Sequence, residues 1–115
     1  METPTLPDGF RISTQNSEMD LPYIFHYLSN ISYWAKDRTM ETVAKSIQNS
    51  FCVGIFTGAQ QVAFGRMITD YATFGYMADV FVDPAFQGMG LGKILADALV
   101  NRPEMAEVTN MFLRT

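Results

Sequence analysis

Apolar and polar positions alternate with period two from Phe10 to Thr14, where Phe10 and Ile12 stand against Arg11 and Ser13, and this predicts a short opening strand. The period then changes. Asp20 has the character of a helix cap ahead of Leu21-Pro22-Tyr23-Ile24-Phe25-His26-Tyr27-Leu28, with proline in the first turn and Leu21, Ile24, Phe25 and Leu28 on one face. Ser29, Asn30 and Ser32 are expected to break that helix. A second helix is predicted from Thr39 or Met40 to Gln48, buried through Met40, Val43, Ala44 and Ile47 and stopped by Asn49-Ser50. Phe51 to Thr57 and Gln61 to Ile68 are strand-forming runs separated by Gly58-Ala59-Gln60, the spacing of an antiparallel hairpin. After a turn at Asp70-Tyr71-Ala72-Thr73, Phe74 to Val82 reads as a long central strand that Pro84 ends, because proline cannot donate to a ladder. Helical spacing returns with Leu91, Ile94, Leu95, Ala98 and Leu99 on one face and Lys93, Asp97 and Asn101 directed away, up to Pro103. Met111-Phe112-Leu113 begins a fifth strand. The expected fold class is therefore α/β (α+β), in the order β-α-α-β-β-β-α-β.

Composition narrows the function classes. A chain of 115 residues with 48% hydrophobic residues is one small domain with a core of its own. The formal net charge of −4 offers no basic stripe for nucleic acid, whereas cationic partners fit it. Cys52, the single cysteine, lies within an apolar run, so no internal disulfide forms and a buried thiol is expected, which suits a reducing cytoplasm. The first ten residues carry Pro4, Pro7 and Gly9 without the pattern of a signal peptide and read as a flexible arm. No uncharged apolar stretch approaches the ~20 residues needed to cross a bilayer, so no membrane partner is expected. One histidine and one cysteine do not build a Ser-His-Asp or Cys-His nucleophile, and His26 has no neighbour at metal-ligand spacing, so no metal is expected.

The chemistry concentrates where the central strand runs into glycines: Asp79-Val80-Phe81-Val82-Asp83-Pro84-Ala85-Phe86-Gln87-Gly88-Met89-Gly90-Leu91-Gly92-Lys93. Alternating glycines let backbone approach a ligand closely, and a helix opening at about Gly90 would aim unpaired amides and its positive dipole end at the loop, a cradle for phosphate. The dinucleotide fingerprint fails, because counting from Gly88 its third glycine falls on Lys93. The P-loop fails as well, with Gln87 at its first position and Ile94 where Ser or Thr is required. What remains is Gln-x-x-Gly-x-Gly, formed by Gln87, Gly90 and Gly92.

That motif, preceded by an apolar strand and Asp83-Pro84 and followed by an amphipathic helix, resembles the signature of the GNAT superfamily of acyl-CoA-dependent N-acyltransferases, in which Gln or Arg, x, x, Gly, x, Gly or Ala recurs. The order of predicted elements matches the first two thirds of a GNAT fold, a mixed, mostly antiparallel central sheet flanked by helices. The resemblance implies that acetyl-CoA is the co-substrate. It further implies that the backbone amides of Gly88, Met89, Gly90, Leu91, Gly92 and Lys93 hold its pyrophosphate, that Gln87 belongs to the same cofactor-binding loop, and that Val80, Phe81 and Val82 pair through their backbone with the pantetheine arm. Lys93 either adds charge near the phosphates or is an ordinary solvated helix residue. The implied reaction is direct attack of a primary amine, on a small molecule or a peptide, on the thioester within a ternary complex, with a backbone amide near Phe81 or Val82 stabilising the oxyanion.

Asp79 lies in an apolar strand, and a carboxylate there must find partners or raise its pKa. It is the candidate general base, with a structural aspartate bonded to a loop as the other reading. Tyr33 and Trp34, between the early helices, and Tyr71, after the hairpin, are candidate substrate contacts or, equally, aromatic caps on the core. The resemblance covers residues 1–115 as one domain whose C-terminal helix and strands are missing. An exposed sheet edge of that kind invites pairing with a second copy, and a non-catalytic acyl-CoA-binding module or an inactive fragment are the alternatives to an enzyme.

Overall fold

A computed structural model describes residues 4–30 and 37–113, so Tyr33 and Trp34 lie outside the described residues. The elements run β1 (Phe10–Ser13), α1 (Leu21–Asn30), α2 (Met40–Gln48), β2 (Phe51–Thr57), β3 (Gln60–Thr69), β4 (Phe74–Val82), α3 (Leu91–Asn101) and β5 (Asn110–Leu113), in the predicted order. The five strands form one sheet in sequential order; the first four are antiparallel and β5 joins β4 in parallel. α1 runs two residues past Leu28, through half-buried Ser29 to exposed Asn30, whose Nδ2 donates back to the His26 carbonyl at 3.0 Å.

Two apolar layers sandwich the sheet. On one face α3 buries Leu91, Leu95, Ala98 and Leu99 against Val53, Ile55, Val62 and Met67, each buried leucine contributing about 2 kcal/mol of transfer free energy. Gly65 lets the helix sit close, since a Cβ there would stand 2.8 Å from Leu99 Cδ1. On the other face α1 and α2 bury Ile24, Tyr27, Leu28, Val43 and Ile47 against Cys52, Phe56, Phe64 and Phe81.

β4 changes allegiance part-way along. Met77 belongs to the α3 layer and Phe81 to the α1–α2 layer, although four residues apart on a regular strand share a face. The break is a β-bulge: Phe64 pairs with Phe81 but Arg66 pairs with Ala78, so Gly65 faces both Asp79 and Val80. Asp79 takes the extra place with φ of 55°, a left-handed conformation that a side chain seldom adopts.

Candidate acyl-CoA cleft

The glycine loop follows β4 through a single turn of 3-10 helix at Pro84–Phe86. Asp83 caps that turn, accepting from the Ala85 amide at 3.0 Å, and its other oxygen accepts from the Tyr23 hydroxyl at 2.9 Å. Burial and then that carboxylate push the Tyr23 hydroxyl well above the ordinary phenol range, so it is a donor. Gln87 donates from Nε2 to the Val82 carbonyl at 3.1 Å and fastens the loop to the end of the strand.

Gly88 and Gly90 have φ of 84° and 83°, and Gly90 is the N-cap of α3 without any side-chain cap. The amides of the first turn of α3 therefore lack a side-chain acceptor, as an anion cradle requires. Gly92 does a different job. It lies inside the first helical turn, where an added Cβ would meet only Val82 Cγ2, at 4.0 Å. Leu91 faces the core, whereas Met89 and Lys93 are exposed. A Cβ on Gly90 would instead stand 3.1 Å from Pro4, so the N-terminal arm packs against the N-cap of α3.

The cradle opens beside the C-terminal half of β4. β5 pairs with β4 over Phe74↔Asn110 to Met77↔Leu113, and among the described residues 78–82 have a strand partner only on the β3 side. The Asp83 amide donates to the Val62 carbonyl at 2.8 Å, so strand alternation turns the backbone groups of Phe81 toward β3 and those of Val82 away from it. Of the two backbone amides expected from sequence, that of Phe81 is turned toward β3 and that of Val82 away from it. Tyr27 stacks on the Phe81 ring with centroids 3.8 Å apart, and Tyr23 and Phe64 pack around it, which closes the α1–α2 side of this half of the strand.

Asp79 is not a free carboxylate. Its Oδ2 accepts from Arg38 Nη1 at 2.6 Å and from Arg66 Nε at 2.8 Å, and Arg66 also donates from Nη1 to the Ser50 hydroxyl at 3.0 Å. Burial acts to raise its pKa, but the two guanidinium hydrogen bonds outweigh burial and hold it below the usual carboxylate range. A carboxylate so held accepts a proton poorly, and the general-base expectation gives way to a structural one. Tyr71, also with positive φ (62°), packs edge-on against Phe51 at the β3–β4 turn. It is separated from the glycine loop by the length of β4, roughly 25–30 Å at about 3.3 Å per residue, and is not brought together with the cradle. Burial pushes the Cys52 thiol up to about 12, and its Sγ donates to the Ile47 carbonyl, as an inert core thiol does.

The residues that sequence reading passed over are Arg38, Arg66, Tyr23 and Tyr27. A signal for one existed: Arg66 sits in an apolar strand adjacent to the strand that carries Asp79, and two buried opposite charges in neighbouring strands imply a pair. Among the described residues no cluster of His, Cys, Asp and Glu is placed to hold a metal ion, and no helix is long and apolar enough to cross a membrane.

Known proteins share this architecture. Residues 20–114 match the family model described as Acetyltransferase (GNAT) family. A Gibberella zeae protein provisionally named as an acetyltransferase is 32% identical over a region covering 70% of this chain and 58% of its own length, so the chain spans well under two thirds of that relative. A Xanthomonas campestris pv. campestris protein ascribed to the GNAT family superposes with a TM-score of 0.90 at 40% identity, covering 96% of this chain and 78% of that one. A Mycobacterium tuberculosis protein solved in complex with CoA and NLQ shares the fold, with a TM-score of 0.70 at 19% identity over 90% of this chain and 63% of its own. The match over residues 20–114, these likenesses and the glycine loop agree, and the chain belongs to the GNAT acetyltransferase family.

Proposed function

We propose that this protein transfers an acetyl group from acetyl-CoA to a primary amine by direct attack in a ternary complex. The observation that carries the reading is the uncapped N-terminus of α3, opened by left-handed Gly90, standing at the C-terminal end of β4 and fastened there by Gln87. The pyrophosphate would lie on the amides from Gly88 to Lys93, and the pantetheine arm would pair with the backbone of Val80 and Val82, extending the sheet as a further strand would. CoA in the M. tuberculosis relative supports the same donor here.

In the reaction the neutral amine attacks the thioester carbonyl, the N–C bond forms as C–S breaks, and the thiolate leaves with a proton equivalent to the one the amine loses. A backbone N–H on the side of β4 turned away from β3, the side that Val80 and Val82 share, would face the developing oxyanion; a donor in that position typically lowers the barrier by about 3 kcal/mol. Asp79 serves this reaction by holding the bulge that turns Phe81 and Val82 into place.

Isothermal titration calorimetry with acetyl-CoA and with CoA tests the proposal. Saturable one-to-one binding of both is expected, and a folded sample that binds neither would overturn it. Acetylation of amines, read by thiol release, then separates an enzyme from a module that binds without turnover.

A further inference from the structure

Asp79 is the one carboxylate within ion-pair distance of Arg38 and Arg66 among the described residues. Two guanidiniums on one carboxylate oxygen leave the cluster with one positive charge in excess, within a chain whose formal net charge is −4. The excess lies on the α1–α2 face of β4, two residues before Phe81, and so beside the backbone proposed to carry the thioester. Arg66 is nearly covered, with 10% of its side chain exposed; Arg38 keeps 27% and is the member that reaches solvent. It enters from the residues just ahead of α2, whose cap is Thr39.

A cation at that position repels an ammonium and lowers its pKa, which favours the neutral, attacking amine without a dedicated base. It also penalises binding of a plain amine. Both facts are reconciled if the acceptor brings its own negative charge. Resting on the acetyl-transfer reading above, we propose that Arg38 is a specificity-determining residue that holds an anionic group of the acceptor, so that the substrates are amines bearing a carboxylate or phosphate a few bonds from the nitrogen. Arginine suits either anion, through its planar fork of donors.

The test uses the full chain saturated with CoA, and also without CoA. β-Alanine, its phosphonate analogue and n-propylamine are titrated calorimetrically, the first two distinguishing carboxylate from phosphate chemistry. Anionic amines are expected to bind about tenfold more tightly than n-propylamine, the difference one charge-assisted hydrogen bond makes. Arg38→Gln should remove that preference while CoA affinity stays within about twofold, and Arg38→Lys should keep part of it. Equal binding of the three amines, or no binding of any, overturns the proposal with the wild-type protein alone, whether or not a variant folds. Loss of CoA binding together with the preference in Arg38→Gln also overturns it, by making Arg38 structural. Failure of the wild-type protein to bind CoA would instead count against acetyl transfer.

Discussion

The two flanks of β4 solve one problem in opposite ways. Toward α3, the strand runs into a cradle built from backbone: glycines at positive φ, uncapped amides and a glutamine clasp, with no buried charge. Toward α1 and α2, the same strand is held by side chains, with Arg38 and Arg66 gripping a left-handed Asp79 out of water. The first flank is polar through its backbone, the second through side chains that hold a shape, with Arg38 the member that reaches solvent. A backbone site tolerates nearly any change that leaves φ and space alone, whereas the ionic knot tolerates little at its shared carboxylate, since removing Asp79 leaves both guanidiniums uncompensated, while Arg66 still pairs with Asp79 if Arg38 is replaced. The bulge therefore depends on the flank away from the glycine loop.

The largest expected effect breaks the knot. Asp79→Ala leaves two guanidiniums without their carboxylate and places a side chain without hydrogen-bonding capacity in the left-handed region, and should lower stability by about 3–5 kcal/mol in urea denaturation. Asp79→Asn keeps a residue that tolerates left-handed φ and should be less destabilised by about 1 kcal/mol, which separates strain from charge. The pH dependence has a definite sign. Because the folded-state pKa of Asp79 is depressed, its contribution is fully present above the unfolded carboxylate value near ~4 and is lost as pH falls through the lower folded value. Urea midpoints measured from pH ~6 to ~3 should fall less steeply for Asp79→Asn than for the wild type.

Next comes the cradle. Gly90→Val should reduce CoA affinity by ~100-fold or more in calorimetry. It should also lower stability by about 1–2 kcal/mol, because φ of 83° and Pro4 at 3.1 Å both oppose a side chain. The variant is thus less silent in the fold than the motif alone suggests. Gly92→Ala is its control: with helical backbone and open space, it should keep CoA binding within about threefold and raise stability by up to about 1 kcal/mol. Loss of binding in Gly92→Ala with binding kept in Gly90→Val would reverse the roles assigned to the two glycines.

Smaller still is Gln87→Ala, which removes one hydrogen bond to the Val82 carbonyl at the exposed edge of the loop. CoA affinity should fall about three- to tenfold, with stability changed by less than about 1 kcal/mol. Lys93→Gln should weaken CoA by no more than about threefold, and less at high salt, because its charge is exposed. A larger, salt-insensitive loss would move Lys93 from the rim into the site.

The sequence by itself determined the elements, their order and the cradle. Apolar periods of two and 3.6 arise from local geometry, and the loop from Gln87 to Lys93 works through backbone conformation that glycine spacing encodes directly. Even here one distinction escaped it: Gly88 and Gly90 need positive φ, while Gly92 is an ordinary helical residue. Tertiary structure alone decided the fate of Asp79. Arg38 lies 41 residues away in the chain and Arg66 lies 13 away, and their meeting depends on the β3–β4 register and on where α2 begins. That register contains a bulge, and one extra residue exchanges the faces of every side chain beyond it. Gly65, opposite the bulge, was its one visible trace. Whether a carboxylate in an apolar strand is a base or a strut follows from what surrounds it, and in this protein two arginines made it a strut.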